Sequence, residues 1–137
     1  GFPGFEKGKL LINARAESAW ERRTFQDSVR HRRCIIPARG FYEWNKSKEK
    51  FSYERKDAPV LFMAGCYNWY EDQVRFVILT TEANPSVAPV HNRMPLILEP
   101  EELKEWVLDD GATEYLLHKT PVLLEQRAEY EQMRLFL

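Results

Sequence analysis

The sequence is short of the residues on which many chemistries depend. It has two cysteines and three histidines in 137 residues. Cys34 and Cys66 lie in apolar, strand-like runs with no CxxC partner, which excludes a disulfide framework and reads as buried thiols of an intracellular protein. His31, His91 and His118 fit neither an HxH nor an HExxH spacing, so no metal site is expected. The six glycines form no dinucleotide fingerprint, no phosphate-binding loop and no GxSxG elbow, so no nucleotide cofactor is expected either. No apolar run approaches the roughly 20 residues of a membrane span. The opening GFPGFEKGK has no apolar signal-peptide core. Repeats, heptads and low-complexity tracts are lacking as well.

What is present is a globular composition, 44% apolar and 30% charged, enough for a single domain over residues 1–137 with its own core. The aromatic share of 13% suits a β-rich core or base stacking. The net charge of −1 conceals an asymmetry: residues 1–56 hold 14 Lys/Arg against 7 Asp/Glu, and residues 57–137 hold 6 against 14. One basic half is the pattern of a protein that meets a polyanion on one face. Equally, the halves can pack together with their charges interleaved.

In chain order, residues 1–9 read as a loop. Leu10 to Glu17 alternates as a strand, with Leu11, Asn13, Arg15 and Glu17 on one face at ~7 Å spacing. Arg22, Arg23, Arg30, Arg32 and Arg33 crowd the next segment, where Thr24 is a candidate N-cap of a short helix through Arg30. This run could line a nucleic-acid groove or form a solvated helix face. Residues 41–56 read as a hairpin, and residues 59–70 and 74–81 as strongly apolar strands. Gly65 within the first of these marks a bulge or a close approach. A loop over 82–90 carries two prolines and room for one helical turn after Asn84. Helices are expected over 99–108 and 112–118, and a last strand over 120–126.

The chain is organised around Cys34-Ile-Ile-Pro-Ala-Arg-Gly-Phe-Tyr-Glu43-Trp44. A carboxylate pressed between aromatic rings loses hydration, one route to a general acid or base active near neutral pH. Alternatively, Glu43 points outward or pairs with an arginine. Asn13, Arg15, Glu43, His91 and Arg93 supply an amide, a carboxylate, an imidazole and two guanidinium groups, a polar constellation suited to an anionic or carbonyl-bearing ligand.

Four segments carry a resemblance: NARAE at 13–17, CIIPARGFYEW at 34–44, TTEANP at 80–85 and HNRMP at 91–95. In this order they resemble the SRAP family, the SOS response-associated peptidase-like proteins. The resemblance implies an α+β fold, a curved, barrel-like mixed β structure with short flanking helices. It also implies a basic groove that holds single-stranded DNA and links covalently to abasic sites, through an N-terminal cysteine whose thiol and α-amine form a thiazolidine with the sugar aldehyde. Carried over by residue, Asn13 would orient the cysteine end and the sugar, Glu43 would shuttle protons and His91 would assist ring opening. Arg15 and Arg93 would contact phosphates, with Thr80 a weaker DNA contact. The implied protein is a monomer, cytoplasmic and at the nucleoid if bacterial, needing no cofactor and no membrane. Family members open Met-Cys-Gly-Arg, several tens of residues before NARAE, whereas twelve residues precede Asn13 here. The expectation is a domain without its N-terminal segment, keeping much of the DNA site but not the nucleophile. Two other readings are a cysteine-type peptidase limited to removal of its own N-terminal residues, and a non-catalytic single-strand-binding module.

Overall fold

A computed structural model describes residues 10–128; the loop read over 1–9 lies outside them. The central sheet runs in the order β1 (Leu10–Arg15), β6 (Gln73–Glu82), β5 (Leu61–Tyr70), β2 (Arg33–Ala38). The short strands β7 (Arg93–Pro95) and β8 (Ile97–Leu98) attach to β6 and β5. β1 lies parallel to β6, in register from Leu10↔Arg75 to Arg15↔Thr80, and the other pairings are antiparallel. A second sheet of three strands joins β3 (Phe41–Trp44), β4 (Lys50–Glu54) and β9 (Glu125–Ala128). The result is a curled half-barrel with a few short helices, the α+β architecture expected from the sequence.

The runs Leu61 to Cys66 and Val77 to Thr81 lack polar alternation because both of their faces are covered. On one face, Ala64, Cys66, Val77 and Leu79 pack with residues of the four helices α1 (Ala16–Ala19), α2 (Gln26–His31), α3 (Leu103–Leu108) and α4 (Thr113–Leu117). Trp106 of α3 is fully buried there and donates its indole N–H to the Cys34 carbonyl at 2.9 Å. On the other face, Leu61, Met63 and Ile78 meet Phe41 and Tyr53 of the hairpin, Val87 of the 83–90 loop, and Leu124. The Phe41 and Tyr53 rings stack at 5.3 Å. Each fully buried Leu or Ile contributes roughly 2 kcal/mol.

Glycine answers a steric demand at two positions. A Cβ on Gly40 would lie 2.1 Å from the Tyr53 carbonyl oxygen, and one on Gly65 would lie 2.7 Å from that of Val77. The pairing through Gly65 is continuous on both sides, so this residue marks a close approach and not a bulge. Pro37 sits on β2, at one end of the four-strand order, where a missing N–H donor is tolerated.

Several boundaries differ from expectation. β1 ends at Arg15, and Glu17 belongs to α1, because Ala16 and Ala19 are small enough to pack at zero exposure against the sheet. Helix α2 starts at Gln26, with Phe25 and not Thr24 in the N-cap position. The helix expected over 99–108 opens as a 3-10 turn over Pro100–Glu102, with a capping box between Glu99 and Glu102, before α3 begins. The last strand lies at 125–128, not 120–126.

The two charge-biased halves interleave. Arg33 is buried, donates to the main-chain oxygens of Val29, Arg30 and Trp106, and pairs with Asp110 at 2.7 Å. Arg32 donates to the Tyr67 carbonyl and to Asp27. Thus two of the five arginines of the basic segment are framework, not groove. Arg55 is held by Asp57 at 2.9 Å and by Glu99 at 2.7 Å. These Arg55 hydrogen bonds hold Glu99 below its ordinary 4.5 and Asp57 below its ordinary 3.8. Their folded-state values are depressed, so the stabilisation is complete above the ordinary values and is lost as pH falls through the lowered ones. The melting temperature should therefore hold level down to about pH 4.5 and fall on further acidification. Arg55→Met should remove Glu99's and Asp57's share of that acid dependence; an unchanged pH profile in the variant would remove Arg55 as its source.

Candidate functional site

Strand alternation builds the site. On β1, Ile12 and Ala14 face the helix-side core, while Leu11 faces the hairpin-side core. Asn13 and Arg15 follow Leu11 on that second face, where the sheet opens to solvent and both are exposed. Register brings Arg15 beside Thr80 of β6, and Thr80 beside Pro95 of β7. On β3, Phe41 and Glu43 are buried while Trp44 is exposed. Glu43 therefore faces inward, opposite Phe51 of β4. At this end of the half-barrel the apolar interior gives way to polar side chains.

Asn13, Arg15, Glu43, Thr80, His91 and Arg93, with Met94 and Pro95, line one cleft of about 280 Å³. All six residues singled out from the sequence are thus gathered in one place, although they come from β1, β3, β6, β7 and the preceding loop. Glu43 is 8% exposed. Its Oε2 lies 3.8 Å from His91 Nδ1, beyond direct hydrogen-bond range but close enough for a ligand atom to contact both. Tyr53 senses the same carboxylate: burial first, and the Glu43 charge second, push its hydroxyl up to about 12.

The flanking aromatics do not surround Glu43 as expected. Alternation turns Tyr42 and Trp44 to the opposite face, where the Lys50 ammonium lies 4.0 Å from the Tyr42 ring centre and 5.9 Å from that of Trp44. Glu43 is instead buried by its inward position.

His91 is placed by the loop before it. Asn84 is buried, donates to the Pro121 and Val122 carbonyls at 3.0 Å, and accepts from Ser86. The chain then turns helically, with the N–H groups of Val87 and Ala88 bonded to the Asn84 carbonyl and that of His91 to the Val87 carbonyl. This is the helical turn expected after Asn84. The anchoring role of Asn84 was not legible in the sequence, since its partners lie 37 and 38 residues away. The His91 Nδ1 lies 3.2 Å from the Arg93 N–H and 3.1 Å from the Arg93 carbonyl oxygen. As an acceptor it takes the first; as a donor it serves the second. Either protonation state of the ring keeps a main-chain partner, which suits a group that exchanges protons.

The two candidate phosphate contacts differ. Arg15 is exposed and no hydrogen bond ties its guanidinium among the described residues. Arg93 is engaged by the Glu17 carboxylate and by Thr80. Sequence reasoning placed Glu17 on the face of Arg15 but missed its grip on Arg93. Beyond Arg15 the surface continues past Ser18, Arg22 and Phe25, so Arg22 is a member of the basic segment that does border the site. Neither cysteine enters the cleft, and burial pushes the Cys34 thiol up to about 11 and the Cys66 thiol to about 12. Among the described residues no group of three His, Cys, Asp or Glu could hold a metal ion, and no helix is long and apolar enough to cross a membrane.

These features define a class: a curled α+β half-barrel whose open end carries a cleft lined by an amide, a carboxylate, an imidazole and two guanidinium groups. Residues 3–135 match the family model described as SOS response associated peptidase (SRAP), and the chain belongs to that family. It is 36% identical over 109 residues to Abasic site processing protein YoaM of Bacillus subtilis, covering 73% of this chain and 48% of that protein. Abasic site processing protein YedK of Escherichia coli is 35% identical over 112 residues, covering 77% and 50%. A crystal structure of a protein from Bacteroides thetaiotaomicron superposes with a TM-score of 0.75 at 29% identity, covering 85% of this chain and 57% of that one. The chain spans about half the length of the curated relatives it matches.

Proposed function

We propose that this chain forms the DNA-facing part of a protein that recognises abasic sites in single-stranded DNA and, where an N-terminal cysteine is present, links to them covalently. The observation that carries the reading is the convergence of Asn13, Arg15, Glu43, Thr80, His91 and Arg93 on one cleft. The names of the relatives from B. subtilis and E. coli point to the same substrate.

The family resemblance implies the chemistry, and the cleft geometry supports it. Arg15 reaches a phosphate, and an abasic sugar enters the cleft without the cost of unstacking a base. Ring opening of the sugar requires a proton to leave its anomeric hydroxyl and another to reach the ring oxygen. Glu43 and His91, 3.8 Å apart in the same cleft, can take and supply them. The α-amine of an N-terminal cysteine then adds to the aldehyde, water leaves as the imine forms, and the thiol adds to the imine carbon to close a thiazolidine. The Asn13 amide orients the sugar or the cysteine end. A peptidase acting through Cys34 or Cys66 is disfavoured, because burial holds both thiols in the protonated form at neutral pH.

The test uses single-stranded DNA bearing one abasic site, incubated with this chain and with a form carrying the family's Met-Cys-Gly-Arg start, its initiator Met removed to free the cysteine α-amine. A band that resists denaturation only with the second form is the expected result. Retention on a native gel with no such band from either form would leave a binding module and remove the covalent step.

A further inference from the structure

The Glu17 carboxylate grips Arg93 end-on. Nη1 donates to Oε2 at 2.7 Å and Nη2 to Oε1 at 2.9 Å. This is the fork that a guanidinium offers to a phosphate. Arg93 does not depend on Glu17 for its position. Its Nη2 also donates to the Thr80 carbonyl at 2.8 Å and to the Thr80 hydroxyl at 3.2 Å, and its backbone is paired to β6. Its Nε is buried with no acceptor among the described residues. The Glu17 side chain is the looser partner, 42% exposed against 16% for Arg93, and it stands on the four-residue helix α1. Its carboxyl is held below the ordinary range by the Arg93 hydrogen bond first, with smaller help from the charges of Arg93 and Arg15. One carboxylate thus stands among the two cations to which the family reading assigns phosphates.

From this arrangement we infer that in the unliganded protein Glu17 occupies the seat on Arg93 that a DNA phosphate takes, and that strand binding displaces it. The inference rests on the reading of the cleft as a single-strand site. Exchange of one charge-assisted pair for another leaves Arg93 partnered in both states. An isolated anion gains little from the exchange, because it meets a seat already filled. A strand gains more, because Arg15 and the sugar cleft engage it at the same time. Glu17 therefore raises the threshold for binding and favours ligands that fill the whole cleft over those that present one phosphate.

The test is equilibrium binding of a labelled single strand carrying a tetrahydrofuran abasic analogue, which cannot be crosslinked, over a range of salt concentrations. Relative to wild type, Glu17→Gln is expected to bind roughly threefold to tenfold more tightly near 0.1 M salt, with a salt slope steeper by up to about 0.7, since the same phosphates then meet one more net positive charge. Arg93→Ala is expected to lose more affinity in the Glu17→Gln background than in wild type. Glu21→Gln, which removes the same charge from an exposed position, is expected to change affinity less than about twofold. Glu17→Ala and thermal melting accompany the series. Weaker binding by both Glu17 variants, or a gain no larger than that of Glu21→Gln, would make Glu17 a support for Arg93 and overturn the inference alone. Absence of strand binding by the wild-type chain would overturn the single-strand reading, and the inference with it.

Discussion

Replacing Glu43 by Gln in a form that carries an N-terminal cysteine is expected to slow covalent capture of an abasic strand by roughly a hundredfold or more, while equilibrium binding changes by less than about twofold. The asymmetry follows from where Glu43 lies. It is buried in the cleft, 3.8 Å from His91, while the exposed cation proposed to meet the DNA backbone is Arg15. An amide of the same shape keeps the packing against the hairpin but cannot exchange a proton at neutral pH. Both hemiacetal opening and loss of water from the carbinolamine need that exchange. The measurement is a time course on a denaturing gel at saturating protein, with binding to the tetrahydrofuran analogue and the melting temperature recorded in parallel. A variant that melts far below wild type would assign Glu43 to the framework, and one that captures at the wild-type rate would leave the proton transfer to His91.

Much of this arrangement was legible before the structure, for reasons that differ by residue. The runs Leu61 to Cys66 and Val77 to Thr81 announce doubly covered strands, because a strand buried on both faces can carry no polar alternation. Phe41 to Trp44 and Lys50 to Glu54 read as a hairpin because their pairing is local. Five of the six cleft residues stood out by chemical type within short motifs and Thr80 only through the family resemblance, although spacing alone does not bring Asn13 and His91 to one cleft.

What stayed hidden depends on partners remote in sequence. Helix α1 exists because Ala16 and Ala19 pack at zero exposure, a tertiary effect that overrides the strand-like alternation of Leu10 to Glu17. That change of backbone sends Glu17 to Arg93. Arg33 reads as surface charge, yet it is buried by contacts to Trp106 and Asp110 more than 70 residues away. The aromatics beside Glu43 suggest an enclosure that strand alternation forbids: neighbours in sequence share a strand but not a face.

The same partnering separates the two arginines of the cleft. Arg15→Ala is expected to weaken binding of any single strand roughly tenfold to thirtyfold near 0.1 M salt, and to make the salt slope shallower by about 0.7. The loss should be equal for strands with and without an abasic site, since a phosphate contact carries no information about the missing base. Arg93→Ala should cost less, because a phosphate reaches Arg93 only at the expense of its ion pair with Glu17, the only one Glu17 makes among the described residues, and because Nη2 is shared with Thr80. A sequence reading that assigns both arginines to phosphates predicts equal losses; the geometry predicts Arg15 well ahead of Arg93. Titration of both variants at three or more salt concentrations decides between them. Equal losses with equal slopes would mean that Glu17 leaves Arg93 freely, whereas an unchanged slope in Arg15→Ala would place the phosphate path elsewhere, along Arg22 and the face of Phe25.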